Sequence, residues 1–365
     1  MLPRSLFPPR IPGPRARPAG APPLAGIDPP LFTPLPARPF AVAVSPDGAR
    51  AFVSMPRPDA RGLLVLTPGA PWRLERVLWL DPAVVPRGMT TDRAGRYLLA
   101  ANSAGGLIVA QADALAAGSP DPLVSVLESP STGSMQVILD PDDRFAFVTD
   151  EHSATLSVFD FEDSLRSPAP RARLVGQVRT PPAPVGLALT PDGEHLLMTS
   201  QGSGERGMLS VLATRDATHD PARAVVASVH AGCQPVRVAI ASEVAWVTAR
   251  GSNSVLAFDL ERLISGAGRP LRAAVRVGAA PVGLALLDRG STVVVANSNR
   301  YGPDAEQPQT LSVIDADAAL KGRRALVGSV PAGAFPRELA RLPDDRGVLV
   351  TNVFSQNLQA ISVLP

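Results

Sequence analysis

Beyond residue 38, apolar and polar positions alternate in short runs, each closed by a turn signal and rich in valine, leucine and phenylalanine. Period-two alternation bounded by Pro, Gly and Asp predicts half-buried β-strands; a helix would repeat its apolar positions every three to four residues. One frame recurs along the chain. Pro39-Phe-Ala-Val-Ala-Val-Ser-Pro-Asp-Gly48 is matched by Pro184-Val-Gly-Leu-Ala-Leu-Thr-Pro-Asp-Gly193. The frame returns at Pro86, Ser134, Pro235, Pro281 and Pro336. A period of roughly fifty residues points to a propeller or a solenoid.

Each repeat has the same internal order. Strand a follows the Pro and ends in a turn such as Ser45-Pro-Asp-Gly48, Asp140-Pro-Asp-Asp143 or Leu342-Pro-Asp-Asp345. Pro presets φ for the second turn position, and Gly or Asp accepts the left-handed one. Strand b returns as Phe145-Ala-Phe-Val-Thr149 or Val348-Leu-Val-Thr-Asn352, and strand c as Thr155-Leu-Ser-Val-Phe-Asp160 or Thr310-Leu-Ser-Val-Ile-Asp315. Strand d comes last, as in Leu123-Val-Ser-Val-Leu127, and the stretch after strand c, such as 316–320, is predicted as one helical turn.

The pattern predicts an all-β fold, a seven-bladed β-propeller with four antiparallel strands per blade. The seventh repeat stops after strand c (Ala360-Ile-Ser-Val-Leu364), and Leu31-Phe-Thr-Pro-Leu35 stands unpaired near the other terminus. Pairing the two closes the last blade with an N-terminal strand and removes both open edges. Pro34 and Pro36 suit an outermost strand, which needs fewer ladder donors. A linear solenoid would need capping repeats, and none is visible.

Residues 1–30 read differently. Proline is dense, Arg4, Arg10, Arg15 and Arg17 precede the first acid, Asp28, and Pro, Arg or Gly interrupts every apolar stretch. A secretory signal needs a continuous apolar segment of roughly 7–15 residues, so no ordinary signal peptide is read here. The expected organisation is a disordered, polyproline-II-prone leader over 1–30 and one propeller domain over 31–365. A ring that closes on itself needs no second copy, and a monomer is expected.

Composition narrows the functions. The 35 basic and 33 acidic side chains leave a formal charge of +2, too balanced for a general nucleic-acid binder. No apolar run approaches the ~18–20 residues of a membrane span. One cysteine, Cys233, excludes an internal disulfide, a Cys-based zinc site and a CxxCH haem attachment. With four scattered histidines besides, neither a metal nor a cofactor is expected. Asp304 and Glu306 share a loop but lack the dense alternating acids of a calcium site.

The Pro-x-Gly-x-Ala-x-(Ser/Thr)-Pro-Asp-Gly frame, the Val-Thr strands ending in Asn or Asp, and Leu-Ser-Val-(Phe/Ile)-Asp together resemble the YVTN-type β-propeller repeat. The nearest copies run from Pro281 to Asp315 and from Pro336 to Val363, with Val-Ala-Asn at 295–297 and Val-Thr-Asn at 350–352. Propellers similar to this one include bacterial surface and periplasmic proteins, sugar-lactone hydrolases and quinoprotein dehydrogenase subunits. The resemblance implies an extracytoplasmic bacterial setting. It carries no catalytic motif onto this sequence residue by residue.

Antiparallel blades place the d–a and b–c connections on one face, so the residues just after each Pro gather around the channel. These include Arg87, Arg237 and Arg337 against Glu338. Arginine forks suit carboxylate or phosphate, and a narrow channel concentrates their field. The long b–c loop of repeat six adds Arg300 and Tyr301 to this face. His152, beside Asp150 and Glu151, and Glu338 are the candidate acid–base residues. Cys233 shares the face but has no base at hand in the sequence, while His195 and His219 belong to the opposite side. The leading reading is a non-catalytic binding or interaction module that receives an anionic small molecule or a protein loop. The alternative is a lactone hydrolase of the sugar-lactonase propeller type.

Overall fold

The computed structural model describes residues 9–14, 16–25, 27–166, 174–204 and 206–363. Its strands form seven four-stranded antiparallel sheets, each built from consecutive strands except the last. In that blade, seven, the order is Leu31–Pro34, Asn357–Ser362, Gly347–Asn352 and Pro336–Arg341 from rim to channel. Leu31 pairs with Ala360 and Pro34 with Asn357, and the Leu35 amide continues to the Gln356 carbonyl. The ring is closed by its N-terminal strand, as the repeat pattern predicts.

Apolar positions of adjoining sheets interdigitate between the blades. One cluster joins Trp246 and Val255 of blade five to Val293 and Val295 of blade six, and another joins Leu99 and Val109 of blade two to Val148 and Phe159 of blade three. Short helices follow strand c in several blades, including Ala112–Ala117, Leu260–Ser265 and Ala316–Leu320. Asp259 and Asp315, the last residues of strand c, cap two of them by accepting from the Arg262 and Ala318 amides.

One hydrogen-bond device recurs at the channel. The strand-b hydroxyl of Ser54, Thr149, Thr199, Thr248 or Thr351 accepts an amide from its own strand a. It donates to the carbonyl just after the frame proline of the next blade, at 2.8–3.3 Å. Blades two and six have Ala101 and Ala296 there, and no hydroxyl to bridge. In those blades Gly88 and Gly283 lie so near the next blade that a Cβ would stand 2.6 and 2.5 Å from the Met135 and Arg337 carbonyls. Either way, the inner strands are fixed against one another. In six blades the strand-a register slips just after the frame residue, a bulge that re-aims the side chains that follow.

Of the segment expected to lack structure, residues 1–8, 15 and 26 lie outside the described residues. The rest follows the rim of the ring. The Ala16 carbonyl accepts from Asn253 Nδ2, and the Ala19 amide donates to Val277. Around Pro23 the chain lies parallel to strand d of blade six, with Ser329 donating to Pro22 and accepting from Leu24, both at 2.8 Å. Leu24 and Ile27 pack on the core between blades six and seven. Among the described residues, no helix is long and apolar enough to cross a membrane.

Candidate functional site

The residues immediately after the seven frame positions all line one cavity of about 570 Å³ at the mouth of the channel. Their chemistry is lopsided. Blades three to six contribute an apolar collar of Met135, Val185, Val236 and Val282, while blades seven, one and two contribute Arg337, Phe40 and Arg87.

Phe40 organises the charged half. The Arg337 guanidinium carbon lies 3.3 Å from its ring centroid and that of Arg87 lies 4.6 Å away, within cation–π range. Arg337 Nη1 donates weakly to the Phe40 carbonyl and to Glu338 Oε2, both at 3.4 Å. Arg237 from blade five reaches the same carboxylate, with Nε to Oε1 at 2.9 Å and Nη2 to Oε2 at 2.5 Å. Arg237 and Arg337 are only 4% and 7% exposed. Arg237 Nη1 and Arg87 Nε are buried without any hydrogen-bond partner. Glu338 thus answers one guanidinium fully and a second in part.

A second tier comes from the residues that follow strand b. Ser103, Glu151, Gln201, Arg250 and Val353 occupy this position in five blades, and all line the cavity. Gln201 links blade three to blade five: its Nε2 donates to Glu151 Oε1 at 2.9 Å, and its Oε1 accepts from Arg250 Nη2. Arg250 and Arg300 stand 5.3 and 5.0 Å from the centroid of Tyr301. Arg300 also lies 5.5 Å from Phe335, which packs edge-on against Phe354. Arg38 and Arg57 complete the cationic wall.

Burial dominates the electrostatics. It pushes the Arg87 and Arg250 guanidiniums below the usual arginine range, with partial compensation from Glu151 at Arg87 and from Tyr301 and Glu151 at Arg250. Arg337 is held well below that range, first by burial and then by the nearby Arg237 charge. Burial would also lower Arg237, but the Glu338 carboxylate outweighs it and raises that group. Seven arginines face this cavity, with Glu151 among its lining residues and Glu338 paired at its edge. Among the described residues, Glu151, Glu338 and, beside Arg57, Asp59 are the carboxylates near these seven guanidiniums, which leaves the site an excess of positive charge.

The structure therefore brings together Arg87, Arg237, Arg337, Arg300, Tyr301 and His152 around one space. Glu338 lies at its edge as a partner of two arginines. His152 is exposed and packs against Gly133, where a Cβ would stand 2.6 Å from its ring. Cys233 is buried and borders a neighbouring cavity of about 530 Å³ with Gln234 and Tyr301. His195 and His219 do not line either cavity. Asp304 and Glu306 are both exposed, and among the described residues no group of three or more His, Cys, Asp or Glu is placed to hold a metal. Arg250, Arg38 and Arg57 are the residues that sequence reasoning missed. Aligning the repeats at the end of strand b would have found Arg250, which shares the register of Glu151 and Gln201.

The fold is a seven-bladed β-propeller. No protein-family model and no curated protein matches the sequence. Among solved structures, a chain of hydrazine synthase from Kuenenia stuttgartiensis superposes with a TM-score of 0.69 at 16% identity, covering 93% of this chain and 99% of that one. A chain of a mitotic checkpoint complex superposes with a TM-score of 0.72 at 13% identity, covering 94% and 96%. At such identities the likeness concerns architecture alone.

Proposed function

We propose that this chain is a YVTN-type binding propeller, with a leader over 1–30 and the propeller domain over 31–365, whose channel mouth receives an anionic group of a small molecule or a protein loop. One observation supports this above the rest: buried guanidiniums outnumber the carboxylates beside them, and two of their donors lack partners. Burying unpaired charge costs several kcal/mol per ion. An entering carboxylate or phosphate offsets that cost with charge-assisted hydrogen bonds of roughly 1.5–3 kcal/mol each.

The lactone-hydrolase alternative draws on the exposed His152 at the cavity wall. Its weak point is Glu338, whose two oxygens already accept from Arg237. Calorimetry with sugar acids and phosphates, paired with a pH-stat assay on the matching lactones, separates the readings. Anion binding abolished by Arg237→Gln with Arg337→Gln, and no lactone turnover, is the expected result. Turnover lost in His152→Ala would establish the hydrolase. Absence of any anion binding would overturn the anion-receiving site.

A further inference from the structure

The arginines of the cavity are not spread evenly; four of the seven form two pairs, each gathered on one aromatic ring. Arg87 and Arg337 share Phe40, and Arg250 and Arg300 share Tyr301. Two like charges held on one ring repel each other, so each pair is a seat whose repulsion a single anionic group would offset. Within the first pair, Arg337 has only long contacts at 3.4 Å and Arg87 Nε has no partner. Within the second, Arg250 is held by the neutral side chains of Gln201 and Gln234, and Gln201 joins it to the Glu151 carboxylate.

The two-point contact of Arg237 with Glu338 is already neutral and adds rigidity beside the first seat. The apolar collar of Met135, Val185, Val236 and Val282 lines the same cavity as both seats. Its side chains offer no hydrogen bond, so the part of a ligand against them must be apolar. The seats differ in the exposure of their rings, while Arg337 and Arg250 are alike at 7%. Phe40 is 8% exposed and Tyr301 65%, so the Phe40 seat is the drier one and the Tyr301 seat is more screened.

We propose that the site recognises a small organic dianion: two carboxylates or phosphates joined by a short apolar body, one head on the Phe40 arginines and the other on the Tyr301 arginines. The volume of about 570 Å³ falls within the roughly 300–1,000 Å³ of ordinary small-ligand pockets. Two heads on one molecule also bind with a high effective concentration for the second contact. This inference rests on the anion-receiving reading above and specifies its ligand.

The test uses the full chain and calorimetry at low chloride, with a series of straight-chain α,ω-dicarboxylates, the corresponding monocarboxylates, and α,ω-bisphosphates as the phosphate arm. The expected result is a dianion at least about tenfold tighter than its monoanion, as one extra charge-assisted contact requires, with an optimum at one chain length. Arg87→Gln with Arg337→Gln, and separately Arg250→Gln with Arg300→Gln, should each reduce dianion affinity to the monoanion level, the first pair costing more. The chain-length series on the unmodified protein reads the same point without any variant. Equal affinity for mono- and dianions, or loss confined to one arginine pair, overturns two-headed recognition while leaving an anion site. No binding across the whole series overturns both.

Discussion

Arg237 and Glu338 stand 101 positions apart in the chain and meet in a two-point ion pair at the channel mouth. They occupy the same register, two residues after the frame proline, in blades five and seven. Blade six, which stands between them, has Gly283 there. At that position blade six packs directly on blade seven, the Arg337 carbonyl standing 2.5 Å from where a Cβ would be. The pair is 5% and 13% exposed at the side chains, so its charges are removed from most of the solvent.

Glu338→Gln should therefore be the most damaging single change at the mouth. It leaves Arg237 and Arg337 both uncompensated, and breaking a buried pair costs about 3–5 kcal/mol. Arg237→Gln with Glu338→Gln should recover much of that loss, because the stranded charge disappears with its partner. Thermal melts of both singles and the double complete the cycle; strict additivity would show that the pair carries no coupling.

Asp150 should make stability depend on pH in the opposite sense to an ordinary salt-bridged carboxylate. It is fully buried and accepts from the hydroxyls of Ser134, Ser157 and Thr155, at 2.6, 2.6 and 3.1 Å. Burial raises its pKa despite those bonds. A raised carboxylate favours the folded state while protonated, and that contribution is lost as pH climbs through the folded value. Asn297 holds the matching place in blade six and donates to Thr310 and Ser312, so an amide fits this setting. Asp150→Asn should raise Tm at neutral pH, and its advantage should close as pH falls through the carboxylate range. Asp140 and Asp143 are raised by burial as well, but they titrate in both proteins and drop out of the difference. An advantage that stays flat with pH would show that Asp150 charge is not the cause.

Two truncations should differ sharply. Removing residues 1–25 loses the rim contacts of Ala16, Ala19 and the Pro22–Leu24 segment with Asn253, Val277 and Ser329. Removing 1–37 also strips the outer strand of blade seven and the buried Leu35 and Ala37. The first should lower Tm by a few degrees at most; the second should lower it far more, because one blade is left with an open edge. Equal losses would mean that closure by Leu31–Pro34 adds nothing.

The sequence by itself determined the blade count, the strand order and the closure of the ring. Those depend on local alternation, turn chemistry and a repeating frame, all of which are written in neighbouring residues. It also placed Arg87, Arg237 and Arg337 on one face, because strand direction alone decides which loops share an end. Only the tertiary structure decided what these arginines do there. Whether Arg237 meets Glu338, whether Phe40 draws Arg87 and Arg337 onto its ring, and whether Gln201 spans to Glu151 and Arg250 depend on distances between blades. Those distances follow from the packing and curvature of the whole ring, and no stretch of adjacent residues encodes them.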